Sequence, residues 1–165
     1  MEAIFKRRSI RKYSGKEVEE EKIEEILKAA MAAPSANGTE PWHFFVIRNK
    51  EILKKLSELL PYGKMVNDCS FAILVCYDLE RNKLSDWFQQ DLSAACENIL
   101  ISCTYLDLGA VWLGIYPRED RVDGIQNILG IKDEFLPFAL IPVGYPAEEK
   151  EAKDIIDNSK VGYID

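Results

Sequence analysis

Arg7-Arg8-Ser9-Ile10-Arg11 places three guanidinium groups and a hydroxyl within five residues. Guanidinium forks bind phosphate bidentately, and a serine hydroxyl adds another donor. Arg7 and Arg11 stand four apart, so a helical turn would put both on one face within reach of one ligand. Taken alone, the segment reads first as a solvated basic patch at a mobile terminus. About twenty residues later comes a second group, Ala33-Pro34-Ser35-Ala36-Asn37-Gly38-Thr39-Glu40-Pro41-Trp42-His43-Phe44. Its small residues let a flat ligand approach the backbone, while Pro34 and Pro41 restrict its conformations. Ser35, Asn37, Thr39 and Glu40 offer polar contacts, and Trp42 is expected to anchor the loop in the core. The loop also reads as a helix-to-strand connection with Asn37 and Gly38 in a turn, which is compatible with binding. In a third stretch, Gly109 to Tyr116, Gly114 falls within a strand, where its missing side chain admits a ring or another backbone. Trp112, two residues before it, reads as core. Together the first two groups look like halves of a phosphate-plus-ring site.

The elements that must position these groups follow from periodicity. Residues 2–8 suit a short helix. Residues 20–32 carry Ile23, Ile26, Leu27, Ala30 and Met31 on one stripe and end before Pro34, which predicts a helix. A strand is expected at 43–48 and an amphipathic helix at 50–60. The apolar run 71–77 predicts a strand buried on both faces. Residues 86–107 predict the longest helix, apolar almost all round and therefore central or at a subunit interface. A third strand is expected over 110–116, a short helix over 119–129 and a fourth strand over 138–143, placed near an edge by Pro137 and Pro142. Strands and helices mix without strict alternation, which predicts a single α+β domain over 1–165, a mixed β-sheet flanked by helices, with 146–165 as a charged C-terminal tail.

Composition narrows the chemistry. Residues 1–16 hold six basic groups and one acidic one; the rest hold 15 basic and 27 acidic groups. An acidic body of that kind argues against nucleic acid, whose phosphates need a broad basic face, and suits a small anion better. With one histidine, His43, and no CxxC pair among four cysteines, neither a metal site nor a histidine-based triad is expected. GxGxxG and GxxxxGK are both missing from the sequence. No apolar run is long enough for a membrane span and no signal-peptide pattern opens the chain, so a cytoplasmic protein is expected.

These residues resemble the nitroreductase family of FMN-dependent oxidoreductases. The likeness rests on Arg7-Arg8-Ser9-Ile10-Arg11, Ala33 to Asn37 with Pro41-Trp42-His43-Phe44, the helix from Asp91 to Leu108, and Gly109 to Gly114, in that order and spacing. It implies a homodimer with an FMN site at each subunit boundary. Arg7, Arg8, Ser9 and Arg11 would hold the flavin from one subunit, Arg7 at the phosphate and Arg11 nearer the N1/C2 carbonyl edge. Pro34, Ser35, Ala36 and Asn37 would come from the other subunit. Backbone at Leu113, Gly114 and Ile115 would face the reactive N5 edge, and a tail lysine, Lys153, would reach the phosphate. The implied activity is ping-pong hydride transfer from NAD(P)H through FMN to a nitroaromatic, quinone or similar small acceptor, with no catalytic acid–base side chain. Three other readings stay open: a flavin-binding sensor or carrier without turnover, an interaction protein without cofactor, and a reductive dehalogenase. Thr39-Glu40-Pro41-Trp42, with Glu40 where many members carry glutamine, looks like the iodotyrosine deiodinase branch. The substrate side is expected to be either open or covered by residues 61–68 or 82–90.

Overall fold

The computed structural model describes residues 1–81, 86–153 and 156–164. Its elements run α1 (Glu2–Lys6), α2 (Glu20–Met31), β1 (Trp42–Ile47), α3 (Lys50–Leu59), β2 (Phe71–Asp78), α4 (Phe88–Tyr105), β3 (Gly109–Ala110), β4 (Leu113–Gly114), α5 (Glu119–Leu129) and β5 (Phe135–Gly144). Short 3₁₀ turns cover Ala36–Gly38, Lys64–Asp68 and Asn158–Lys160.

The sheet is ordered β1-β2-β5-β3, with β4 also paired to β5. The period-two alternation of the strands divides the core in two. Phe71, Ile73, Val75 and Tyr77 of β2 face one side, where they pack with Ile23 and Ile26 of α2 and with Leu92, Cys96 and Ile99 of α4. Ala72, Leu74 and Cys76 face the other side, against Leu53 and Leu56 of α3 and Ile125 of α5. Every residue of β2 is buried, as its uninterrupted apolar run predicts. The four cysteines are free and buried. Burial pushes the Cys69 thiol up to about 12 and raises the others further, which fits core packing.

Three expectations are corrected. Among the described residues the sheet is antiparallel in all its strand pairs, and the one parallel contact is an isolated bridge between Ser9 and Ala110. The strand expected over 110–116 is two short pieces, β3 and β4, separated by Val111 and Trp112. Finally, β5 lies inside the sheet rather than near an edge. Its prolines are accommodated locally. Pro137 sits at a register shift opposite Cys76. The Pro142 carbonyl lies 3.0 Å from the Tyr13 hydroxyl. A strand residue's nitrogen and carbonyl point to the same side, so Pro142 needs no N–H where Tyr13 fills the gap between β3 and β4.

Helix α4 is central, lying on α2 and on the sheet. Its outer side, with Ile101, Ser102 and Tyr105, lines an apolar groove of about 420 Å³ together with Met1, Ile4 and Ala29.

Gly109 fixes how the amino-terminal segment joins this core. A Cβ built there would lie 2.6 Å from Ile10 Cγ2 and 2.8 Å from Ile10 Cβ, atoms close to the backbone that cannot swing aside. Gly109→Ala is therefore expected to destabilise the protein by about 1–3 kcal/mol through overpacking. A denaturant melt within 0.5 kcal/mol of wild type, on the order of ordinary surface substitutions, would contradict this close approach.

Candidate cofactor site

The arginine segment is not helical. Helix α1 stops at Lys6, and Arg7 has φ −54° and ψ 126°. Beyond it the chain is held to β3: Ser9 bridges to Ala110, and the Ile10 N–H donates to the Ala110 carbonyl at 3.0 Å. Ile10 is buried under Gly109, so the extended alternation turns Ser9 and Arg11 outward together. Arg7 and Arg11 thus do not share the face that a helical turn would have given them; a long-range strand contact sets the segment instead.

The tail runs back along this segment. Ala147 N–H donates to the Lys12 carbonyl at 2.9 Å, and Lys153 N–H to the Phe5 carbonyl at 3.0 Å. Between them, the Arg11 N–H donates to Glu148 Oε1 at 2.5 Å, and Arg8 Nε to the Glu151 carbonyl at 2.6 Å. Lys150 Nζ lies 2.5 Å from the Ser9 carbonyl. The Arg11 N–H, aided by Lys150, holds the Glu148 carboxyl below the usual carboxylate range. Two of the three tail lysines are thereby carried alongside the arginines, Lys150 by its side chain and Lys153 by its backbone. The sequence had singled out only Lys153. Arg7 Nε stands 3.3 Å from Glu97 of α4.

The loop between α2 and β1 is a strained, cross-braced turn. Asn37, Gly38 and Glu40 all have positive φ, at 55°, 64° and 47°. Non-glycine residues in this region persist only when their surroundings fix them. Ser35 Oγ accepts from the Glu40 N–H at 2.9 Å, and Thr39 Oγ1 donates to the Ala36 carbonyl at 3.0 Å. From α4, Asp91 Oδ1 accepts the Ala36 N–H at 2.9 Å. Asp91 is 5% exposed, and its Oδ2 is buried with no hydrogen-bond partner among the described residues. Sequence reasoning did not single out Asp91, because an aspartate in the first turn of an amphipathic helix looks like any solvated one. Trp42 is buried at the start of β1, as expected.

Around Gly114 the backbone is divided between sheet and solvent. The Ile115 N–H donates to the Phe138 carbonyl at 3.0 Å, and its carbonyl accepts from the Arg118 N–H at 3.0 Å. Ile115 is therefore fully engaged. Gly114, one residue earlier, alternates: its N–H and carbonyl point away from β5. That carbonyl accepts from Arg121 Nη1 of α5 at 2.7 Å. A cavity of about 260 Å³ opens here, lined by Arg11, Pro61, Tyr62, Trp112, Leu113, Gly114 and Arg121 among others. A Cβ at Gly114 would meet nothing within 4 Å, so packing within the chain leaves that edge clear. Trp112 is half-buried, its ring edge-on to Phe138 at 5.9 Å, so it is partly core and partly cavity wall. Pro61 and Tyr62 supply one lip, within the first of the two expected covers; residues 82–85 of the second lie outside the described residues.

Arginine segment and loop sit at opposite corners of the sheet. The loop enters β1 at Trp42, paired to Tyr77, and is tied to the first turn of α4. The arginine segment joins β3, whose Ala110 pairs with Val143 and through it with Phe71. From Tyr77 to Phe71 is six residues, about 20 Å along the strands, and β1 to β3 is three spacings, about 14 Å across. One copy of the chain does not bring the two onto one small ligand.

The nitroreductase family model matches residues 4–61 and 59–145. A Methanothermobacter thermautotrophicus protein, provisionally named an NADH dehydrogenase/NAD(P)H nitroreductase, is 50% identical over 161 residues, covering 98% of this chain and 84% of that protein. An FMN-dependent nitroreductase of Clostridium difficile R20291 superposes with a TM-score of 0.91 at 34% identity, covering 100% of this chain and 99% of that one. A provisionally named nitroreductase from Desulfovibrio desulfuricans, solved in complex with FMN, gives 0.83 at 29% identity over 99% and 95%. Iodotyrosine deiodinases match at greater distance, the Haliscomenobacter hydrossis protein at 27% identity. Fold and relatives agree, and the chain belongs to the nitroreductase family. Among the described residues there is no group of metal-ligating side chains, and no helix is long and apolar enough to cross a membrane.

Proposed function

We propose that this protein is an FMN-dependent NAD(P)H oxidoreductase working as a homodimer, with each flavin shared between two copies. The observation that carries the shared site is the diagonal separation of the arginine segment and the Ser35–Asn37 loop across the sheet. An exposed apolar groove along α4, with Met1, Ile4 and Tyr105 uncovered, supplies a surface for the second copy.

The residues present fit FMN. Arg7, Arg8 and Ser9, with Lys150 or Lys153 from the tail, form an anion-binding donor set for the phosphate. Arg11 lines the cavity at Gly114, where it would meet the N1/C2 carbonyl edge. The outward N–H of Gly114 is the backbone donor available to the N5 edge, because Ile115 is spent on the sheet and on α5. Pro34, Ser35, Ala36 and Asn37 of the second copy would cover the ring from the far side. Bound FMN supplies hydride transfer between nicotinamide and acceptor. The chain's own task is to bind and orient it and to place positive charge where negative charge develops. That task needs no side chain to move a proton, which agrees with the single histidine being half-buried against Phe45 and Phe135. Pro61 and Tyr62 leave room for a small planar acceptor, a nitroaromatic or quinone, to exchange with the nicotinamide.

The deciding experiment records the visible spectrum, titrates NADH and NADPH separately under anaerobic conditions, and then screens acceptors for reoxidation. A yellow dimer bleached by either nucleotide and restored by an acceptor is expected. Protein that stays colourless after refolding with FMN overturns the reading. Tight FMN binding with negligible NAD(P)H oxidation would make it a flavin sensor or carrier instead.

A further inference from the structure

We propose that Arg121 is a positioning residue of this site, a second guanidinium that holds the Gly114 peptide and adds its charge to that of Arg11. The inference rests on the flavin reading above and extends it to a residue outside every motif that the sequence displays. Arg121 lies in the first turn of α5, yet its side chain turns back across β4, so that Nη1 donates to the Gly114 carbonyl at 2.7 Å. Its Nε is buried and has no hydrogen-bond partner among the described residues.

Charge makes the placement informative. The protein carries a net charge of −7, so carboxylates outnumber its cations, and four of its arginines are paired with one. Arg7, Arg48, Arg81 and Arg118 all stand within 4.0 Å of one. No such ion pair forms at the guanidinium of Arg8, Arg11 or Arg121 among the described residues, and the last two line the same cavity of about 260 Å³. Two uncompensated cations around one small space repel each other unless something electron-rich lies between them. A ring that gathers negative charge on reduction is such a partner.

Gly114 explains why the clamp is needed. Nothing within 4 Å would touch a side chain there, so packing does little to set the orientation of its peptides. The Arg121 bond fixes the carbonyl on one side and thereby keeps the outward N–H aimed at the cavity. Lysine in place of Arg121 would keep the charge but not the planar fork that reaches around the strand.

The test uses FMN itself with apo-protein and holoprotein. Arg121→Gln is expected to weaken FMN binding about tenfold, the loss of one charge-assisted contact, and to lower the reduction potential of the bound flavin. Arg121→Lys is expected to bind FMN more weakly than wild type yet hold a potential close to it. Arg118→Gln, on the same helix but paired to Asp120, controls for net charge and should change neither. Melting of the apo-proteins checks folding. Wild-type affinity and potential in a folded Arg121→Gln protein would overturn the proposal, as would an equal fall in potential for Gln and Lys. If Arg121→Gln does not fold, the lysine variant decides, and unchanged affinity in it counts against the clamp. Should the wild-type protein itself take up no FMN, it is the parent reading that fails.

Discussion

Arg7→Ala should bind FMN about 10- to 100-fold more weakly than wild type, the loss expected when one charge-assisted hydrogen-bonding partner of a phosphate is removed. Arg7 is the arginine of the segment whose guanidinium is braced by a carboxylate. Its Nε stands 3.3 Å from Glu97 and its side chain is 27% exposed, so both Nη nitrogens remain for an anion while the group is held in place. A braced fork loses less side-chain entropy on binding than a free one, so its removal has a larger effect than that of a fully exposed cation. Arg7→Lys should recover part of the affinity but not the bidentate geometry. Fluorescence titration of apo-protein with FMN measures the change, and repeating it at high salt should narrow the gap between wild type and Arg7→Ala. An affinity within twofold of wild type at low salt would remove Arg7 from the phosphate site.

Local pattern carried most of the fold, and long-range contacts carried what it missed. The stripe of α2, the amphipathic face of α3 and the buried run of β2 follow within a residue or two from their periodicity. The interior position of β5 did not, because Pro142 argues for an edge unless Tyr13, 129 residues away, is known to fill its gap. The same partner explains why one apolar run became β3 and β4. The spacing of Arg7 and Arg11 would have suited a helical turn, and the pairing of Ser9 with Ala110 makes the segment extended. At the site, the sequence marked residues whose types are unusual in combination: arginines in a cluster, small residues in a row, a glycine within a strand. It gave no role of their own to Asp91, Arg121 and Lys150, whose types are ordinary for their surroundings. What sets them apart is where the fold sends their side chains: to the Ala36 N–H, to the Gly114 carbonyl and to the Ser9 carbonyl.

Asp91→Ala should have the second large effect, and on two observables at once. Its Oδ1 satisfies the Ala36 N–H from a nearly buried position, so truncation leaves that donor without a partner and is expected to cost about 1–3 kcal/mol of stability. The bond also braces a turn in which Asn37 and Glu40 hold positive φ, so the loop should relax without it and grip the flavin less well. Asp91→Asn keeps an oxygen for Ala36 and should lose less than half as much. Because Arg7 and the loop would serve different flavins within one copy, the two variants can be combined across subunits. In a heterodimer of Arg7→Ala and Asp91→Ala chains, one site receives both defects and the other receives neither. Mixing the two weak binders by unfolding and refolding them together should restore wild-type affinity at about a quarter of the sites, the share set by random pairing in a two-fold dimer. Sites built within a single copy would recover none, and the shared-site reading would fall with that result.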